Sequence, residues 1–588
     1  MRSFVLNREA AIITVLIVCM FGLYSLDRTR LGQSVPDEKR YLQSTKEMLE
    51  SGDYVTPRYH GKLRFQKPIL FYWLIVLSYK IFGIGIFAAR VPSIIASALN
   101  IILTYLLARD LFGKRAGVFS ALALSTCEVY FMYSRLAVPD ISFILFITAA
   151  LYIFVRTRRG GVKNSRGYMY MYAAMALAML IKGPLGFIYP MAAICLFVYL
   201  KKTPSIFREI GLLPGLLLFA AISAPWFIVM TAIHGGDYIG NAWSLEIIKK
   251  MRFAGSGGCI IFQYLRAAFY YMGMVFARHL PWSAFLPAAL IYARGFPRDS
   301  AEGRDGFKVI TAWFLAVFMC LTLIGSRESY YILAASVPVS IFLGVYLAAL
   351  SREDRLSKGA LFRLPFILAI IAYSAGLLIW LWFNAYVLGG GLISFSLLLF
   401  LVPPLMLGVY AKNNKPFLPV AFFIAAFAFF ACFAGCVMPA VDKEPLSGIA
   451  EEIKISARPG DVVGVASSAV SYHRLNVLLE DYKVIRVDKK KKVGAGAWEP
   501  DDKKDCVKAF LRTKDKRIFC VISESDYYEF VGEPLRRRLT IVKNASIWKK
   551  LHKQDKEYFK RLITYVVRGE KGLLRQNLKE EIYLLSNQ

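Results

Sequence analysis

The sequence predicts a polytopic α-helical membrane protein that ends in a soluble α/β domain. Apolar runs of about 17–25 residues, the length that crosses roughly 30 Å of hydrocarbon, recur as far as residue 437. The composition is 57% hydrophobic and 14% aromatic, and the mean hydropathy is +0.47. Short loops rich in arginine and lysine alternate with loops that carry almost none.

The runs define thirteen expected spans: about 10–26, 86–108, 116–133, 141–156, 168–182, 184–200, 209–231, 265–293, 309–325, 330–350, 364–383, 391–410 and 417–437. The first is read as a retained span, because no small-residue cleavage site follows it. The stretch 69–82 is apolar but short and interrupted by Lys80, so it is read as an interfacial helix. That reading keeps the charges in register. Loops 1–9, 109–115, 156–167, 201–208, 294–308, 351–363 and 411–416 each carry at least two positive residues. The short opposite turns carry at most one, as with Arg135, Lys182 and Arg327. The positive-inside rule puts the rich loops in the cytoplasm, and an odd span count then puts the C-terminus outside.

Two expected outside loops are long, 27–85 and 232–264, and loops of this length in compact proteins are usually functional. Residues 1–437 form the expected membrane domain. In 438–588, buried-strand patterns at Asp461–Val465 and Arg517–Val521 sit among helical patterns at 445–457 and 503–513, which predicts a small α/β domain.

The formal charge of +32 does not point to nucleic acid, because it lies mostly in the loops and no RNA-binding motif accompanies it. It reads as topology plus attraction to anionic lipid. The nine cysteines and five histidines show no CxxC and no metal-ligand spacing. A Cys506–Cys520 disulfide is compatible with an extracytoplasmic tail. Walker, zincin and GxSxG patterns are missing, so nucleotide-driven and hydrolytic mechanisms lack their usual signatures.

The candidate site residues cluster on one side. Asp37 follows Pro36 and opens a helical pattern, where the ordinary role is an N-cap. Arg40 and Tyr41, three and four residues on, would share its face. A carboxylate backed by arginine stays ionised and can accept a proton from an acceptor hydroxyl or amine. Asp140 also follows a proline, and N-capping is again the ordinary role. Glu128 lies inside a span, where an ionisable group is functional or paired; Arg135 or Lys182 is the expected partner. Lys67, with Arg58 and Arg64 in the same loop and Arg252 in the other, suits a phosphate at the membrane surface; the alternative is a snorkelling lysine. Lys182 occupies a tight outside turn, and Tyr330 and Tyr331 sit at another, where tyrosines usually form the interfacial belt. Arg278 and His279 fall beside Pro281 in 265–293, which is read as one kinked helix.

The run PDEKRYLQSTKEMLESGDYVTPRYHGKLRFQKPILFYW resembles the first periplasmic loop of the bacterial 4-amino-4-deoxy-L-arabinose lipid A transferases. These are grouped with the dolichyl-phosphate-mannose protein mannosyltransferases among the GT-C glycosyltransferases. RVPSIIASALNIILTYLLARDLFG, the R-x-A-x-x-D from Arg135 to Asp140, L-x-KGPLG at Lys182, Pro225-Trp226 and the YIL at Tyr331 extend the resemblance over most of 10–350. It implies an undecaprenyl-phosphate-linked sugar donor bound at the outer face of a bacterial inner membrane, with the C-terminal domain periplasmic. Asp37 would be the leading catalytic carboxylate and Asp140 the second acid. Lys67 would hold the donor phosphate with Arg58 and Arg252, with Tyr331 nearby; Arg40, Tyr41 and Lys182 complete the candidate binding set. The acceptor would be lipid A, another envelope glycolipid or a protein hydroxyl. The sequence departs from the family pattern at Gln66, where members commonly have a glutamate linked to metal binding or polarity. A carboxamide offers no anionic ligand, so no metal is assigned, and the departure leaves the sugar and acceptor open. The rival class is a flippase or transporter of the lipid-linked sugar, which would show inverted-repeat hydropathy and would leave Asp37 unexplained. A non-catalytic envelope scaffold is a third class.

Overall fold

The computed structural model describes residues 36–160, 165–240, 260–295, 301–323, 327–351 and 417–432. It also describes 445–458, 461–466, 482–487, 503–513, 517–548 and 579–587, with isolated positions in 14–22, 364–381 and at 475 and 479. The chain divides into two compact units, 1–380 with 394–438, and 381–393 with 439–588.

The first unit is helical. It opens with α1 (Pro36–Ser51), a two-residue-strand hairpin of β1 (Arg58–Tyr59) and β2 (Lys62–Leu63), and α2 (Leu70–Phe82). The long helices α3 (Ile86–Phe112), α4 (Lys114–Ser125), α5 (Glu128–Ser134), α6 (Asp140–Arg159), α7 (Ser165–Lys182) and α8 (Leu185–Lys201) follow. After them come α9 (Leu212–Ile239), α10 (Ile260–Arg278), α11 (Leu286–Gly295), α12 (Ala301–Leu323), α13 (Ser336–Leu350) and α14 (Phe417–Cys432). Among the described residues five helices are long and apolar enough to cross a membrane, or seven if two bent pairs each count as one span. The expected span 391–410 lies outside the described residues, 10–26 largely so, and 364–383 is described only at scattered positions.

Helix α2 has thirteen residues and reaches about 20 Å, short of the roughly 30 Å of hydrocarbon. It buries Phe71, Tyr72, Ile75 and Tyr79 and exposes Trp73, Leu77 and Ile81, one apolar face inward and one outward. Lys80, the interruption in its sequence, lies 4.9 Å over the ring of Tyr54. Helix α13 is at the centre, with its apolar stretch wholly buried. Gly344 permits this, because a Cβ there would collide with Ser120 of α4, so the two backbones meet closely.

Two features depart from expectation. The segment 265–293 is not one kinked helix: the chain turns through 115° between α10 and α11. Helix α4 likewise breaks from α5 at 65°, and the two breaks dock on each other. Glu128 N–H donates to the Leu280 carbonyl at 3.0 Å, and Trp282 Nε1 donates to Thr126 Oγ1 at 2.9 Å. Arg278 Nη1 meets Glu128 Oε1 at 2.7 Å. Interrupted backbone at membrane depth is tolerated only where protein satisfies it, and each break supplies the other. The partner of Glu128 is therefore Arg278, not Arg135 or Lys182. Arg135 is instead buried over the ring of Phe131 at 4.4 Å.

Neither acid is an N-cap. Helix α1 starts at Pro36 and α6 at Asp140, so Asp37 and Asp140 lie in first turns. Pro36 takes the first helical position that proline favours, and Pro139 is itself the N-cap of α6.

The second unit holds a five-stranded sheet of order β4-β3-β5-β7-β6, where β3 is Val462–Val465, β4 Lys483–Arg486, β5 Ile518–Ser523, β6 Thr540–Trp548 and β7 Lys579–Ser586. Strands β4, β3 and β5 are parallel, β7 pairs antiparallel with β5, and β6 pairs antiparallel with β7. Strand β5 is buried along its whole length, as a central strand covered on both faces must be. Phe519 and Val521 pack with Ile449 and Ile453 of helix Pro445–Ser456, and Cys520 and Ile522 pack with Val507 and Leu511 of helix Lys503–Leu511. Cys520 is thus a free, buried thiol, not half of a disulfide, and burial pushes it up to about 12.

The strongest tie in the first unit joins α1 to the bundle. Glu38, fully buried, accepts Arg90 Nε at 2.9 Å and the Ala137 N–H at 2.8 Å through Oε1, and Arg90 Nη2 at 3.3 Å through Oε2. Glu38→Ala leaves Arg90 buried without its carboxylate and should cost roughly 3–5 kcal/mol. The readout is the thermal unfolding midpoint of the detergent-solubilised protein, and Glu38→Ala/Arg90→Leu should regain most of the loss. An unchanged midpoint for the single variant would show the tie to be dispensable.

Candidate active site

The described part of the first loop is tied to itself and to α9 by hydrogen bonds. At the hairpin tip His60 (φ 52) and Gly61 (φ 72) both adopt left-handed backbone, the pattern of a tight two-residue turn. Glu47 of α1 accepts both of their N–H groups, at 2.7 and 3.1 Å. Trp226 Nε1 of α9 donates to the Val55 carbonyl at 3.1 Å, and Thr56 Oγ1 lies 3.0 Å from His234 Nε2. Phe65 packs edge-on to Tyr238 at 5.4 Å. Lys67 therefore sits between two anchors, buried Phe65 and fully buried Ile69.

Lys67, Asp140, Lys182, Tyr330 and Tyr331 line a single cavity of about 600 Å³, its open mouth included. Phe143, Ile144, Leu185, Tyr189, Leu321 and Leu333 form much of its apolar wall. Lys182 pairs with Asp140. Its ammonium also lies 5.4 Å from the ring centre of Phe143, 5.8 Å from that of Tyr330 and 5.7 Å from that of Tyr331. The aromatic faces add cation–π attraction. Gly183 (φ 89) makes the sharp turn that delivers Lys182 from the end of α7. Asp140 enters from the start of α6, after a turn that Ser93 ties to α3 through the Val138 carbonyl at 3.2 Å.

Asp37 is half exposed and pairs with Arg40 at 2.9 Å. It is not among the cavity-lining residues, yet its charge and that of Asp140 both act on the Tyr330 and Tyr41 hydroxyls. The two carboxylates thus share one neighbourhood.

Other sequence candidates fall elsewhere. Tyr41 is turned inward, 5.1 Å from Phe71 and 4.8 Å from Tyr72 between ring centres, so it packs and does not line the cavity. Burial pushes its phenol well above the ordinary value. Arg64 is also buried: Nε donates to Tyr72 OH at 2.6 Å, and the guanidinium lies 5.3 Å over the Tyr41 ring. Arg58 sits on β1, 4.0 Å from Asp53, and does not line the cavity. Arg252 lies outside the described residues. Gln66 is exposed, and its carboxamide gives a metal no anionic ligand. Sequence reasoning missed Glu38, Arg90 and Tyr189. Arg90 had a usable signal, as a charge inside an apolar run; nothing local marked Glu38 as its partner.

The family model described as dolichyl-phosphate-mannose-protein mannosyltransferase matches residues 66–229. An uncharacterized protein of Aquifex aeolicus is 28% identical over 428 residues, 71% of this chain and 77% of that one. The undecaprenyl phosphate-alpha-4-amino-4-deoxy-L-arabinose arabinosyl transferase of Edwardsiella ictaluri is 29% identical over 325 residues, 54% of this chain and 56% of that one. The chain thus matches little more than half the length of that transferase. The crystal structure of ArnT from Cupriavidus metallidurans bound to undecaprenyl phosphate superposes with a TM-score of 0.67 at 20% identity, covering 91% of this chain and 96% of that one. This chain therefore shares the fold of that ArnT structure, and residues 66–229 match the dolichyl-phosphate-mannose-protein mannosyltransferase family model.

Proposed function

We propose that the chain transfers a sugar from an undecaprenyl-phosphate-linked donor to lipid A or another envelope acceptor. The observation that carries this reading is the shared cavity. A loop ammonium (Lys67) and a lysine–carboxylate pair (Lys182–Asp140) stand on apolar walls, which suits a ligand with a charged head and a hydrocarbon tail. The arabinosyl transferase named above and the undecaprenyl phosphate in the ArnT crystal structure supply the ligand class.

In this reaction Asp37 takes the proton from the acceptor nucleophile as the new bond to the anomeric carbon forms. The bond from that carbon to the phosphate oxygen breaks, and undecaprenyl phosphate leaves with the electron pair. Attack opposite the leaving group inverts the anomeric centre. Lys67 stabilises the phosphate charge as it develops, a preorganised electrostatic role. Arg40 pairs with Asp37 and orients it, and Lys182 holds Asp140 in place beside the Tyr330–Tyr331 pair. The site faces the periplasm of a bacterial inner membrane, with 1–437 as the catalytic membrane domain and 438–588 as a periplasmic α/β domain. Loop charges support this polarity.

Asp37→Asn should lower transfer by at least about a hundredfold, the typical share of a general base, while donor binding stays intact. A reconstituted assay with purified lipid-linked sugar measures both, and normal turnover would remove the assignment. Lys67→Ala should weaken donor binding about ten- to a hundredfold, the loss of one charged hydrogen bond. Equilibrium titration with undecaprenyl phosphate reads this, and undiminished affinity would contradict the phosphate role. Lys182→Met should act first on stability, because its ammonium is committed to Asp140. A loss of roughly 2–3 kcal/mol is expected, under the 3–5 of a fully buried pair. Lys182→Met/Asp140→Leu should restore most of the unfolding midpoint; failure to do so would mean that the pair is not what the lysine supports.

A further inference from the structure

Helices α6 and α8 leave the candidate active site and run to a second polar cavity. Asp140 opens the twenty residues of α6, and Arg158 and Arg159 close them; at 1.5 Å per residue the two ends are about 30 Å apart. Lys201 closes α8 beside them. These three cations, with Asp305 of α12, line a cavity of about 730 Å³, its open mouth included. Leu111, Phe154, Val155, Phe197 and Val309 form the apolar part of its wall.

The charges are arranged, not scattered. Phe197 receives two of them on its ring, the Arg158 guanidinium at 5.3 Å and the Lys201 ammonium at 6.0 Å. Asp305 pairs with Lys201, so its charge is already met. Arg158 Nη1 is buried and has no hydrogen-bond partner among the described residues. A buried guanidinium N–H without an acceptor is costly, and three of the four charged side chains lining the cavity are cations. The α6 and α8 carbonyl ends add negative potential here, which the cations must exceed before an anion can bind. A phosphate oxygen supplies the missing acceptor and fits the planar fork of arginine. The apolar wall then suits the glycerol and first methylenes of a lipid, which inorganic phosphate lacks.

We propose that this cavity binds the phosphate headgroup of an anionic phospholipid in the leaflet opposite the candidate active site. The proposal rests on this end of the fold and not on the transferase reading, so either can fail alone.

The test is native mass spectrometry of the full-length protein in detergent, titrated with phosphatidylglycerol, with phosphatidylcholine of the same chains, and with phosphatidylglycerol against millimolar inorganic phosphate. Phosphatidylglycerol should bind more tightly than phosphatidylcholine and resist displacement by phosphate. Arg158→Gln/Arg159→Gln should bind it about thirtyfold more weakly, roughly fivefold for each cation lost. Asp305→Asn, which removes the carboxylate, should bind it more tightly. Equal binding of the two lipids, displacement by phosphate, or full affinity in the double variant would overturn the proposal. If the double variant does not fold, Asp305→Asn decides: tighter binding supports the site, and unchanged binding overturns it.

Discussion

The buried Glu38–Arg90 pair is the constraint on which the site depends. Its carboxylate also holds the Ala137 N–H, so one side chain joins the first-loop helix, the span α3 and the turn that presents Asp140. Such a pair adds little net stability over an apolar replacement, because both ions give up water, but it tolerates very few geometries. That selectivity matters here. Adjacent helical residues point about 100° apart, so pinning Glu38 inward turns Asp37 outward, toward Arg40 and the neighbourhood of Tyr330. Catalytic geometry in the proposed reaction follows from a residue that takes no part in it.

A similar logic governs the polar groups at membrane depth. Glu128, Arg278, Thr126 and Trp282 all lie where two helices break, and each break supplies the partners the other lacks. Two interrupted helices meeting this way replace two lipid-exposed defects with one internal polar cluster.

Within the candidate site, the cations have separate duties. Lys182 neutralises Asp140 against three aromatic rings, while Lys67 arrives from a loop anchored on both sides. Arg64, the loop arginine that looked equally suited to phosphate, is spent beneath Tyr41 and Tyr72 as a packing element. Arg58 stays on the hairpin with Asp53. The loop thus offers the cavity one ammonium while its arginines brace the loop itself. At the far end of the same helices, Arg158 and Lys201 stand over the Phe197 ring and Arg159 lines the same cavity. The bundle carries a cation-rich cavity at each end, and only one of them includes the signature motifs.

The amino-acid order alone determined the helical membrane architecture, the short apolar helix Leu70–Phe82 and the α/β tail. Each of these rests on local periodicity and length, which are written in contiguous residues. It also singled out Lys67, Asp140, Lys182 and Tyr331, which the fold brings to one cavity, because loop charges put them on one side. Tertiary structure alone decided which charges pair. Glu38 finds Arg90 across 52 positions and Glu128 finds Arg278 across 150, and no local pattern encodes such a choice. Tyr41 and Arg64 turned inward for the same reason: which side of a loop faces the core depends on what the distant helices bring to meet it.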